Sequence, residues 1–132
     1  MTPQLEEALR LMRLARRDRE TFDLLLPIEK ASMAAIGFHA QQAVEKALKA
    51  VIALRNIETS RTHDLVALAQ TIQNDGANLP LTFDELRVIN PFAVEFRYDD
   101  EIIPAISRTE LEARLEKLFG WVESSVMNDG GH

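Results

Sequence analysis

The stretch Phe38-His39-Ala40-Gln41-Gln42-Ala43-Val44-Glu45-Lys46-Ala47-Leu48-Lys49-Ala50 decides the fold. Ala40, Ala43, Ala47 and Ala50 recur at three- and four-residue steps, and with Ile36 and Leu54 they form one stripe of a helix running from about Glu29 to Arg55. Side chains this small admit a neighbouring helix closely, and Val44, Leu48, Val51 and Ile52 widen the apolar surface. The spacing therefore predicts the central helix of a bundle. Across from the small residues stand His39, Gln42, Lys46 and Lys49, which helical geometry puts on a single face.

Outward from this helix, the same periodicity repeats. Leu5, Leu9, Met12, Ala15, Arg19 and Phe22 predict a helix over about residues 4–25, ended by Pro27. Its other face carries Arg10, Arg13 and Arg17, either a solvated face paired with Glu6, Glu7 and Glu20 or a stripe turned toward an anion or partner. Leu65, Leu68, Ala69 and Ile72 predict a third helix over about residues 63–74, with Thr62 as its N-cap and Asp64 in its first turn. Thr82-Phe83-Asp84-Glu85 is a capping box opening a fourth, with Leu86, Ile89, Phe92, Ala93 and Phe96 inside and Pro91 interrupting it near Asn90. Ser107-Arg108-Thr109-Glu110 is a second capping box, and Leu111, Leu115, Leu118, Phe119 and Val122 form the inner face of the last helix. The expectation is an all-α, up-and-down bundle of four to five helices, one domain over residues 1–127 with a frayed tail at 128–132.

Composition agrees. Among the 132 residues, Ala (16) and Leu (17) together outnumber Ile (9) and Val (7) about two to one, which favours helix over strand. There is no cysteine, which removes thiol nucleophiles, disulfides and cysteine-ligated metals together. The net charge of −6 argues against a domain that coats nucleic acid by charge alone. That charge is uneven: residues 1–49 carry +1, residues 50–94 carry −2 and residues 95–132 carry −5. No apolar run approaches the ~18 residues of a membrane span, and the N-terminus lacks the pattern of a signal peptide, so the chain reads as soluble and cytoplasmic.

Three constellations are candidates for chemistry. The first is the His39, Gln42, Lys46 and Lys49 line, a set of donors suited to an anion or to hydrogen bonding within the fold. The second is Arg61-Thr62-His63-Asp64, whose adjacent His and Asp point about 100° apart on a helix and so form no direct dyad. The third is Arg97-Tyr98-Asp99-Asp100-Glu101, which offers a fork for phosphate, a ring for stacking, and acids that suit either an exposed turn or a divalent cation. No phosphate loop, His-Glu-x-x-His or nucleophile elbow is present, and no cofactor or metal site is expected.

Taken together, Phe38 to Ala50, Thr62-His63-Asp64-Leu65 and Phe96-Arg97-Tyr98-Asp99-Asp100 closely resemble the HEPN family (higher eukaryotes and prokaryotes nucleotide-binding) over roughly residues 5–125. The resemblance implies a helical bundle that dimerises. It is nearest to the small prokaryotic branch encoded beside a minimal nucleotidyltransferase, which implies a nucleotide- or partner-binding module in a toxin–antitoxin-like system. By the same resemblance His39, Gln42, Lys46, His63, Arg97 and Tyr98 would line one polar site for a nucleotide, RNA or nucleotidyltransferase. Many members of the family are ribonucleases with an Arg-x(4–6)-His motif. Here Arg97 matches the arginine, but Ile102, Ile103 and Pro104 stand where the histidine should fall.

Overall fold

Five helices follow one another in the computed structural model, which describes residues 1–58, 61–93 and 105–130: α1 (Pro3–Leu25), α2 (Met33–Leu54), α3 (Leu65–Asn74), α4 (Phe83–Ile89) and α5 (Arg108–Gly130). A short 3-10 turn, Asn90–Ala93, extends α4. No strand occurs among the described residues, so the chain is all-α as its periodicity predicts. α2 touches each of the other four helices and the 3-10 turn, the central position that its alanine stripe anticipates. Ile36, Ala40, Ala43, Ala47 and Ala50 are all fully buried.

Sequence chemistry sets each helix start. The Thr2 hydroxyl accepts from Leu5 N at 3.1 Å, with Pro3 in the first turn of α1, where its missing N–H costs nothing. Thr82 and Glu85 cap each other's backbone at 3.1 and 3.0 Å. Ser107 and Glu110 do the same at 3.1 and 3.2 Å, opening α5. Leu111, Leu115, Leu118, Phe119 and Val122 then face the core.

Three helix boundaries and the placement of one side chain differ from the sequence expectation. α2 begins at Met33 rather than near Glu29, because Ser32 is extended and its hydroxyl accepts from Ala35 N at 3.1 Å. The carbonyls just before it are turned to Arg108 of α5. One Nη donates to Leu26 O and Ile28 O (2.7 Å each), and the other donates to Glu29 O (3.2 Å) and Ala31 O (2.8 Å). α3 begins at Leu65, and its N-cap is Asp64, not Thr62; Asp64 Oδ1 accepts from Val66 N at 2.9 Å, while Thr62 Oγ1 accepts from Asp64 N at 3.0 Å. Ala93 is exposed rather than inside, since a 3-10 turn has three residues per turn and carries Phe92, three after Ile89, into the core instead. α5 runs to Gly130, three residues past the expected helix end at Met127. Phe96 lies outside the described residues.

Phe92 docks on α2 at the one point where that helix has no side chain. Gly37 is buried, and a Cβ there would come within 2.1–2.4 Å of atoms of the Phe92 ring, which is itself fully buried. By contrast, a Cβ on Gly120 of α5 would meet nothing within 4 Å. Gly37→Ala should therefore destabilise the fold by about 1–3 kcal/mol through overpacking. Gly120→Ala should stabilise it by up to ~1 kcal/mol through helix propensity. Urea unfolding of the two variants beside the wild type checks both signs.

Candidate functional site

α2 is surrounded, yet it carries polar side chains, so each must find a partner on a neighbouring element. At one end of the polar line, α1 supplies Asp18. His39 Nδ1 lies 3.3 Å from Asp18 Oδ1, and Lys46 Nζ donates to Asp18 Oδ2. All three side chains are largely shielded from solvent, and they tie α1 to α2. His39 is thus a member of a hydrogen-bond network between helices.

On the flank of this line sits Glu45, only 4% exposed, beside the fully buried Gln41. Its carboxylate accepts from Gln41 Nε2 at 3.1 Å and from Lys49 Nζ at 3.0 Å. His63 Nδ1, from the segment leading into α3, lies 2.9 Å from Glu45 Oε2. Gln42 Nε2 donates to Gln41 Oε1 at 2.6 Å, which joins a second member of the predicted line, after Lys49, to this hub. Burial pushes the Glu45 carboxyl up, but the hydrogen bonds from His63, Gln41 and Lys49 outweigh it and hold the group below its ordinary value. With the carboxylate ionised, His63 Nδ1 donates to it and Nε2 is left for a ligand. The His63 side chain is 74% exposed, so a buried acid orients an accessible imidazole. Asp64, next in sequence, turns away to cap α3 and to accept from Asn90 Nδ2 at 2.8 Å.

His63 and Lys49 open onto a cleft of about 870 Å³ between α1, α2 and the segment after α2. Leu11, Ile52, Ala53 and Ile57 give it apolar walls, and Arg10, Lys49, Arg61 and His63 bring positive or protonatable groups to it. Glu7 also lines it, bonded to Arg10 at 2.7 and 2.9 Å. Arg61 is exposed and has no ion-pair partner among the described residues. Such a cleft offers a surface for a planar apolar group and donors for an anion.

The predicted site residues therefore divide. His63 stands at the cleft, and Gln42 joins the same network through Gln41. His39 and Lys46 belong to the Asp18 cluster instead. Arg97 and Tyr98, with the acidic residues at 99–101, lie outside the described residues. Among the described residues no group of three or more His, Asp or Glu side chains is disposed to hold a metal ion, and no helix is long and apolar enough to cross a membrane. Sequence reasoning passed over Asp18, Gln41 and Glu45, and named Arg61 only as the first residue of the Arg61-Thr62-His63-Asp64 constellation. A trace of the hub was present in the 41, 45, 49 spacing, since Glu followed by Lys at i+4 is a favourable helical pair.

A family model described as the HEPN domain matches residues 8–123. No curated protein and no solved structure matches the chain.

Glu45 ties α2 to the start of α3, so its loss should be felt in stability. Because its folded pKa is lowered, its contribution is present above the ordinary value of 4.5 and disappears as pH falls through the lower folded value. Glu45→Gln should lower stability at pH 7 by about 1–3 kcal/mol. The gap between variant and wild type should narrow as pH drops below 4.5. Denaturant midpoints across that range read it.

Proposed function

This chain belongs to the HEPN domain family, and from that premise we propose that it is a helical module that binds a nucleotide, free or carried by a protein partner, in the cleft beside Glu45 and His63. One observation carries the reading: cationic or protonatable side chains from three separate segments (Arg10 of α1, Lys49 of α2, and Arg61 and His63 before α3) meet over an apolar floor. Phosphate takes the fork of Arg61 and the Lys49 ammonium, and the base lies against Leu11, Ile52 and Ile57. In the two-component arrangement that the family resemblance implies, a minimal nucleotidyltransferase would present the nucleotide and the module would act as a homodimer. Calorimetry with ATP, GTP and their mono- and cyclic forms tests the reading. Each of Lys49→Ala and Arg61→Ala should weaken binding about 10- to 100-fold, the loss of one charge-assisted hydrogen bond. Absence of binding by every one of them at millimolar concentration would overturn it.

The Glu45–His63 pair favours a second reading, a divergent metal-independent ribonuclease. Proton transfer at a ribose hydroxyl needs a positioned acid–base group, and His63 is exposed, oriented by a buried carboxylate and close to cations. His63 would then act in place of the histidine missing from the Arg-x(4–6)-His pattern after Arg97. This reading expects RNA cleavage in the presence of chelator that is abolished in His63→Ala and in Arg97→Ala. Intact RNA after prolonged incubation with clean protein decides against it.

A further inference from the structure

The arginines of α1 are not equivalent. Arg10 is bonded to Glu7, Arg16 pairs with Glu123 at 3.2 Å, and Arg19 reaches Asp23 and lies over the Phe119 ring with its guanidinium carbon 4.9 Å from the centroid. Arg13 and Arg17 are exposed and have no ion-pair partner among the described residues. Neither of them lines the cleft. At about 100° per residue, Arg13, Arg17 and Leu24 fall within about 40° of one another, on the side of α1 opposite its buried Ala8, Met12, Ala15 and Phe22. This outward line ends in apolar side chains. Leu24 is 73% exposed and Ile28 49%, and Pro27 between them is exposed too. Among the described residues, the other large apolar side chains so open to solvent are Met1 and Met127. The turn that carries Ile28 is pinned. Ile28 N donates to Leu25 O at 3.0 Å, Ala31 N donates to Ile28 O at 3.1 Å, and the Arg108 guanidinium holds the carbonyls of Leu26 and Ile28. Apolar groups held out on a fixed backbone lose little further freedom when they are covered.

We propose that this outward face of α1 is a docking surface for an acidic amphipathic helix of another protein. Its carboxylates would meet Arg13 and Arg17, and its apolar side chains would cover Leu24 and Ile28. Charge complementarity sets the sign of the partner, because two guanidinium forks stand ready for bidentate carboxylates. A helix suits the spacing, since its own four-residue repeat matches the single turn, about 6 Å, between Arg13 and Arg17. Glu20 and Asp23 flank the line on one side and confine an acidic partner to a narrow ridge, which a helix can follow. A second copy of this chain does not fit, because a two-fold contact on this face would set both arginines against their own copies. A nucleic-acid backbone would engage the arginines and leave the apolar end uncovered.

An NMR titration of the isotope-labelled protein tests this with an alanine-based peptide of about 18 residues, long enough to hold itself helical. The peptide carries two glutamates toward one end and two leucines toward the other, all on one face. The expected result is movement of the amide signals of residues 13–28. A twin peptide with lysines for the glutamates, and another with alanines for the leucines, should each bind about tenfold more weakly or worse. Arg13→Gln/Arg17→Gln should weaken the acidic peptide about tenfold and remove most of its salt dependence, whereas Leu24→Ser should weaken it about tenfold and keep that dependence. Both changes fall at exposed positions and leave the fold intact. No movement along α1 at millimolar acidic peptide overturns the proposal, as does a lysine twin that binds equally well or a variant that binds like the wild type. Self-association that Leu24→Ser abolishes assigns the face to a second copy and overturns it too. So does a single-stranded oligonucleotide that moves the same signals more strongly than the peptide.

Discussion

A helix packed on every side must satisfy its polar groups through the neighbours that enclose it, and α2 imposes that requirement on the whole bundle. Gln41 and Glu45 lie inside. A carboxylate taken out of water costs several kcal/mol unless charged or hydrogen-bonding partners meet it. Gln41 and Lys49 meet it from the same helix, and His63 from the approach to α3. The position of the α2–α3 connection is thereby fixed from within α2. Asp18 of α1 answers His39 and Lys46 in the same way. Two carboxylates thus hold the register of three elements, and the alanine stripe allows them to come close enough.

Much of this was legible one-dimensionally. Leu, Ala and Val at helical steps marked the inner faces, and the Thr82/Glu85 and Ser107/Glu110 boxes opened their helices where expected, because both partners in a capping box are local. Boundaries that depend on remote groups were not legible. Ser32 starts α2 late because Arg108, far along the chain, gathers the carbonyls preceding it. Asp64 displaces Thr62 as a cap because Asn90, 26 residues away, holds its side chain in place. For the site, helical spacing correctly aligned His39, Gln42, Lys46 and Lys49 but could not say which neighbour each would face. His39 and Lys46 went to Asp18 of α1, whereas Lys49 was taken up by Glu45 of its own helix, one turn away. Glu45 itself resembled any solvated partner of Lys49 until tertiary packing buried it.

Net charge follows the same division between paired and unpaired groups. Residues 1–49 are nearly neutral in sum, yet five of their eight cations are already answered: Arg10 by Glu7, Arg16 by Glu123, Arg19 by Asp23, Lys46 by Asp18 and Lys49 by Glu45. What distinguishes this side of the bundle is therefore a set of arginines with no ion-pair partner among the described residues, Arg13, Arg17 and Arg61, and not a surplus of charge. Unpaired guanidinium groups on a rigid helix are good hydrogen-bond forks but weak long-range attractors, because neighbouring acids cancel their field within a Debye length of roughly 8–10 Å. A face of this kind recognises at contact and does not gather ligand from a distance.

The Glu45 hub bears on the same point from inside the cleft. Lys49 and His63 would ordinarily lose much side-chain freedom on gripping an anion, a cost of about 0.5–1.5 kcal/mol for each rotamer-rich group ordered. Here the carboxylate already orders both. It also cancels part of their charge, so a bare anion gains less from them than from free cations. The balance shifts toward a ligand that combines an anionic group with an apolar plane, since the walls at Leu11, Ile52 and Ile57 supply what the neutralised cations do not. Prearranged donors with little net charge, set above an apolar surface, discriminate by shape and by the pairing of both features together.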